Sequence, residues 1–200
     1  LFQNSEVLLK IYSLDHLLKC RVDEISERQL KLSLLSGDVR AFQINDPVVL
    51  LYYEGKQLKM LPADVMSVDE SAGQVVFSRP EEAVFEERRV FERYPVSLAV
   101  SVRRKYSNKR LHFVAKNISL YGLGAISEEE LEENEILDID LITDKAMFYF
   151  NGRIVWKKVN GKFFEYGIQL THVDVATRKL MEEYLQGQIA DYERMISRVR

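Results

Sequence analysis

Apolar and polar residues alternate in short runs along most of the chain, and the pattern predicts strands. Residues 6–12 read as a strand, and residues 20–35 as further short strands in which Val22, Ile25, Leu30, Leu32, Leu34 and Leu35 sit among polar neighbours. Val48–Tyr53 is a continuous apolar run after the turn Asn45-Asp46-Pro47, the pattern of a buried strand. Glu54-Gly55 is a hairpin signal leading into Gln57–Leu61, and Ala63–Val68 and Gln74–Ser78 flank a second turn over Asp69–Gly73. About six short strands in the first 78 residues predict a small antiparallel barrel.

A second series begins at Tyr94-Pro95. Val96, Leu98, Val100 and Val102 alternate along a strand over 96–103, Ser107-Asn108-Lys109 makes a turn, and Leu111–Asn117 returns. Leu123–Ile126, Ile136–Ile142, Ala146–Lys157 and Phe163–Thr171 supply the remaining strands. From Asp174 the period changes. Leu180, Met181, Tyr184, Leu185, Ile189, Tyr192, Ile196 and Val199 recur at steps of mostly three and four, which predicts an amphipathic helix with Asp174 as its N-cap and a role as a lid on the barrel. Its last turns, Tyr192 to Val199, are expected to reach a second subunit if they project past the core. The fold class is therefore mainly β: two small antiparallel β-barrels in tandem, the second followed by a C-terminal α-helix. No repeat of fixed period is visible.

Between the two series the pattern lapses. Arg79-Pro80 closes the first, and residues 81–93 are mostly Glu, Arg, Ala and Val with no strand alternation. The expected division is a barrel over 1–80, a connector over 81–93, and a barrel with its helix over 94–200.

Composition narrows the function classes. The 200 residues are 46% hydrophobic, enough for a core, and carry a formal net charge of -3. The single cysteine, Cys20, excludes an internal disulfide framework and a cysteine zinc site, and it fits a reducing, cytoplasmic compartment. No apolar run approaches the roughly 20 residues of a membrane-spanning helix. The sequence opens on Leu1, which leaves a preceding segment open. The small net charge hides strong segregation. Residues 127–144 hold nine acidic side chains and no basic one, whereas residues 88–116 hold nine basic ones against Glu92 alone. The basic stretch is a place where an anion could be received. The Glu128–Glu135 run reads as a solvated face, or as a surface for a basic partner.

Two patterns in or near the basic stretch carry candidate chemistry. Arg88-Arg89-Val90-Phe91-Glu92-Arg93 contains Arg-x-x-x-Arg, and Asn117-Ile118-Ser119-Leu120-Tyr121-Gly122 is an Asn-x-Ser-x-x-Gly at a strand end. Arginine forks bind phosphate oxygens in pairs and match the N7/O6 edge of guanine. Asn and Ser offer short hydrogen bonds, and Gly122 admits a dihedral or a close approach that a Cβ blocks. Taken singly, the first pattern is commonly a solvated charged face and the second an ordinary turn.

Together with Gly152-Arg153-Ile154-Val155-Trp156 and Tyr166-Gly167-Ile168-Gln169-Leu170, these motifs stand in an order that resembles the PilZ family over residues 86–186. Residues 1–80 are similar, more loosely, to the barrel that precedes PilZ in flagellar-brake-type proteins, through Cys20–Ile25, the Tyr53–Lys56 hairpin and the Phe77–Pro80 exit. The resemblance implies a bacterial, non-catalytic β-barrel receptor for cyclic di-GMP. It implies that Arg89 and Arg93, with Arg88 as a third, hold phosphates and guanine faces or edges. Asn117 and Ser119 would line the barrel side, and Gly122 would leave room. The family takes Asp or Asn at position 117, and a carboxamide has one acceptor oxygen where a carboxylate has two, which implies weaker guanine reading. Trp156 has two open readings, a base-stacking platform or an aromatic plug in the core.

Ligand entry between the two barrels is expected to order the connector, fix the orientation of the first barrel, and change a surface offered to a partner protein. That partner would be a flagellar motor component or exopolysaccharide machinery, with the receptor a monomer or homodimer. Two alternatives stay open: a PilZ-like adaptor that binds no nucleotide, and a barrel that binds single-stranded nucleic acid through Arg103, Arg104, Lys105 and Arg110. His16, His112 and His172 lack partners at metal-ligand spacing, and no catalytic elbow or P-loop is present. An enzyme is the least supported class.

Overall fold

The computed structural model describes residues 1–79, 92–143 and 145–199. Twelve strands and one α-helix follow in chain order: β1 (Glu6–Ile11), β2 (Leu18–Ile25), β3 (Gln29–Leu34), β4 (Pro47–Glu54), β5 (Gln57–Asp69), β6 (Gln74–Ser78), β7 (Tyr94–Arg104), β8 (Arg110–Ser119), β9 (Gly122–Ser127), β10 (Ile136–Ile142), β11 (Met147–Asn160), β12 (Phe163–Thr171) and α1 (Val175–Val199). They form two closed antiparallel barrels of six strands, as the alternation predicts. Two compact units emerge from the chain contacts: residues 1–89 with 189–200, and residues 90–188.

In the first unit the ring runs β1-β2-β3-β6-β5-β4. Its interior is filled by Leu9, Ile11, Val22, Leu32, Leu50, Val75 and Phe77, all at most 1% exposed. The apolar run of β4 has a second explanation besides the barrel interior. Val49 and Leu51 point outward, into a separate cluster with Leu17, Leu58, Tyr192 and Ile196. Residues 189–200, which the sequence pattern assigns to the second domain, therefore group with the first barrel, because Tyr192 and Ile196, one helical turn apart, bury their side chains on it. These two residues belong to the turns expected to reach a second subunit. Where the pattern predicts two strands, Gln57–Leu61 and Ala63–Val68, the chain makes the single 13-residue β5. Pro62 is tolerated inside it because the register with β6 begins only at Val65, leaving an open flank there. The hairpin turns at Gly55 and Gly161 take φ of +62°, which explains the glycine at each.

In the second unit the ring runs β7-β8-β9-β12-β11-β10. With the strands of each barrel numbered from one to six, this is the order of the first. Phe113, Ala115, Ile118, Leu137, Ile154 and Tyr166 fill the interior, and the first half of α1 closes it with Met181, Tyr184 and Leu185. Asp174 caps the helix as expected: Thr177 N donates to its Oδ1 at 2.9 Å and the Thr177 hydroxyl to its Oδ2 at 2.6 Å. These bonds hold the Asp174 carboxyl below its ordinary pKa.

Candidate functional site

The acidic loop and the basic hairpin prove to be each other's counterions. Arg104 Nε lies 2.9 Å from Glu135, Lys109 Nζ 3.0 Å from Glu129, and Lys157 Nζ 3.2 Å from both Glu130 and Glu132. Arg110 reaches Asp140 at 3.7 Å and Lys116 reaches Glu165 at 3.1 Å. Tyr166, from inside the barrel, donates its hydroxyl to Glu129 O at 2.8 Å and accepts from Leu131 N at 2.9 Å, pinning the loop in place. The loop is thus a fastened part of its own barrel. Much of the basic hairpin is compensated before any ligand arrives, including Arg104 and Arg110 of the nucleic-acid alternative.

The outer wall around the Asn-x-Ser-x-x-Gly turn is different. A β-bulge in β8 shifts the register between Ala115, which faces Ala125, and Asn117, which faces Gly124. The extra residue, Lys116, turns Asn117 out of the barrel. A second bulge, at Val155 of β11, lies between Ile154, opposite Ile168, and Trp156, opposite Gly167. Gly167 in turn faces Gly124. One cross-strand row therefore reads Asn117, Gly124, Gly167, Trp156 over β8, β9, β12 and β11.

Both glycines are required by contact. A Cβ on Gly124 would fall 2.6 Å from Asn117 Nδ2, and one on Gly167 would fall inside the Trp156 indole. The Asn117 amide thus lies directly over Gly124 and the Trp156 indole directly over Gly167. Trp156 is 37% exposed on the outer wall, which decides between its two readings of location: it is not a core plug.

The next outward-facing row along the strands is Ser119, Gly122, Gln169, Arg153. Ser119 is buried; its hydroxyl donates to Gly122 O at 3.4 Å and accepts from Tyr121 N at 3.4 Å, closing the turn. Gly122 does not adopt a positive φ. Its absent side chain serves close approach instead, since a Cβ there would meet Ile168 O at 3.3 Å. Arg178 at the start of α1 stacks over Tyr121, 5.3 Å from the ring centroid. Arg93 is exposed just before β7. Arg88 and Arg89 lie outside the described residues.

Of the expected residues, then, Asn117, Ser119, Gly122 and Trp156 share one patch of outer wall. Gly124, Gly167, Gln169 and Arg153 belong to the same patch; the last three stand in segments that carry the family resemblance, but the sequence reading gave none of the four a site role. The available signal was the interior glycine of each strand, which marks a bulge or a close approach. A cavity of about 230 Å³ lies in the first unit beside Leu8, Lys19, Leu51 and Tyr53, and none of the expected site residues lines it. Among the described residues no group of His, Cys, Asp or Glu is arranged to hold a metal ion, and no helix is long and apolar enough to cross a membrane.

Residues 87–187, just over half of the chain, match the PilZ domain model. The chain belongs to the PilZ domain family. No curated protein matches it. Among solved structures, the inhibitor of motility MotI/DgrA of Bacillus subtilis is 11% identical, with 96% of this chain and 99% of that chain covered and a TM-score of 0.46. YcgR of Escherichia coli in complex with c-di-GMP is 13% identical, with coverages of 98% and 88% and a TM-score of 0.48. The MrkH–c-di-GMP complex of K. pneumonia is 11% identical, with coverages of 96% and 90% and a TM-score of 0.44. The bulged strands, the glycine pair and the Asn-x-Ser-x-x-Gly turn all fall inside the PilZ domain.

Proposed function

We propose that this PilZ protein is a non-catalytic receptor for cyclic di-GMP. The observation that carries the reading is the row Asn117–Gly124–Gly167–Trp156 on the domain's outer wall, where two glycines let a hydrogen-bonding amide and an exposed indole lie flat against neighbouring strands. A purine stacks on the Trp156 ring, Asn117 and Ser119 meet the ligand's polar edge, and Gly122 leaves room for its backbone. Arg89 and Arg93, with Arg88, bring paired N–H donors to the phosphates and to guanine N7/O6.

Ligand held by the connector and by the PilZ wall together, at the junction of the two barrels, orders residues 88–93 and fixes the orientation of the first barrel. The altered surface signals to a partner protein in motility or exopolysaccharide control. Cys20 fits a cytoplasmic setting without a redox role, because burial pushes its thiol up to about 12 and leaves no thiolate at neutral pH.

Titration calorimetry tests the reading. The whole chain is expected to release heat with cyclic di-GMP, and the Arg89→Ala, Arg93→Ala double variant to release little or none, with wild-type binding weakening as salt rises. Equal heats from both proteins, or none from the wild type, would overturn it and favour an adaptor that works through protein contacts alone.

A further inference from the structure

The row beside the glycine pair contains a cation, Arg153, that has no carboxylate within ion-pair distance among the described residues. Arg104, Arg110, Lys116 and Lys157 each face a carboxylate within 2.9–3.7 Å. Arg153 faces a neutral amide: its Nη2 donates to Gln169 Oε1 at 3.0 Å. The carboxylate on the neighbouring strand, Asp138, is engaged by Asn151 Nδ2 at 2.8 Å. Gln169 therefore fixes the guanidinium without neutralising it, and Arg153 leans from β11 over β12, the strand whose other neighbour at this level is Gly122.

Position along β11 gives this arginine a target. With Ile154 turned into the core and Val155 taken up by the bulge, Arg153 and Trp156 are successive members of the outer row. Successive side chains on one face of a strand stand about 7 Å apart. A base lying on the indole thus brings its edge to the guanidinium. An arginine fork matches guanine, which offers two acceptors at N7 and O6, and mismatches adenine, which has a donor at N6.

Resting on the reading of this wall as a cyclic di-GMP site, we infer that Arg153, oriented by Gln169, is a further recognition residue that reads the guanine stacked on Trp156. Calorimetry of the full chain with cyclic di-GMP and cyclic di-AMP tests it. Arg153→Ala is expected to weaken cyclic di-GMP binding at least tenfold and to narrow the preference over cyclic di-AMP, with unchanged melting. Arg153→Lys, which keeps the charge and loses the fork, is expected to bind as weakly as Arg153→Ala. Gln169→Leu is expected to lose affinity in the same direction by a smaller factor.

Wild-type affinity and preference in Arg153→Ala, while the Arg89→Ala, Arg93→Ala variant loses binding, overturns this inference and leaves the receptor reading standing. Full recovery in Arg153→Lys overturns it too, since charge alone would then suffice. Failure of the unaltered chain to bind overturns both.

Discussion

The two barrels share a strand order and a pair of bulges, yet only one of them carries the glycine row. In the second strand of each ring an extra residue is inserted at the same level: Asp23, between Val22 opposite Leu32 and Glu24 opposite Lys31, and Lys116 in β8. In the fifth strand the extra residues are Met66, between Val65 and Ser67, and Val155 in β11. Even the turn after the second strand recurs. Ile25-Ser26-Glu27-Arg28-Gln29 matches Ile118-Ser119-Leu120-Tyr121-Gly122, and each serine hydroxyl hydrogen-bonds across its own turn.

The row that follows the bulges is where the barrels part. It reads Glu24, Lys31, Val76, Ser67 in the first and Asn117, Gly124, Gly167, Trp156 in the second. Bulges recur in both barrels and so belong to closing a six-stranded ring, whereas the two glycines and the indole occur in one and belong to what is particular to that ring, as the proposed binding role requires.

Exchanging one residue between the rows gives the largest expected effect. Gly167→Val installs the side chain found at Val76, drives the indole off its strand, and is expected to reduce cyclic di-GMP affinity by at least about a hundredfold in calorimetry, a loss of roughly 3 kcal/mol. The reciprocal Val76→Gly is expected to lower the melting temperature by a few degrees through a weakened strand, with binding untouched. Normal binding by Gly167→Val would break the comparison outright.

Next in size is Trp156→Ala. Base–aromatic stacking of about 1–3 kcal/mol predicts an affinity loss of about 5- to 150-fold. Trp156 is the one tryptophan in the chain, so its emission reports on this row alone. Cyclic di-GMP is expected to quench it, and an emission indifferent to saturating ligand would remove the indole from the site.

How far the sequence revealed this depended on the scale of the signal. Strand alternation and turn glycines made the two barrels and the α1 cap legible, because each is a local pattern backed by burial. Asn117, Ser119 and Gly122 were legible because they fall within six residues of one another. The partners that complete the row were not, since Gly124 and Gly167 meet only through a pairing 43 positions apart. Bulges are also invisible to period counting: they break alternation at Lys116 and Val155 in the way an ordinary irregularity does. The compensation of Arg104 and Lys109 within the basic stretch was hidden for a related reason, as their partners, Glu135 and Glu129, lie on a different loop.

The smallest expected effect separates the barrels by their buried carboxylates. Asp140 in the second is buried and has Arg110 within 3.7 Å. Asp46 in the first is equally buried, and Gln43 N donates to it at 2.9 Å, with no cation within ion-pair distance among the described residues. Burial, the dominant cause, raises the Asp46 carboxyl above its ordinary pKa despite the hydrogen bonds from Gln43 and Tyr12. A carboxyl whose folded pKa is raised costs stability while ionised, and that cost shrinks as pH falls from neutral through the folded value. Asp46→Asn keeps an oxygen for Gln43 N and removes the charge. The variant is therefore expected to melt at or slightly above the parent at pH 7, and the difference to close on acidification, the whole effect staying within about 2–4 °C. Exposed carboxyls held low, such as Asp38, Asp69 and Asp174, act with the opposite sign but are common to both proteins and cancel in the difference. Parallel melting profiles on acidification would show that Asp46 is as well compensated as Asp140, and this contrast between the barrels would fall.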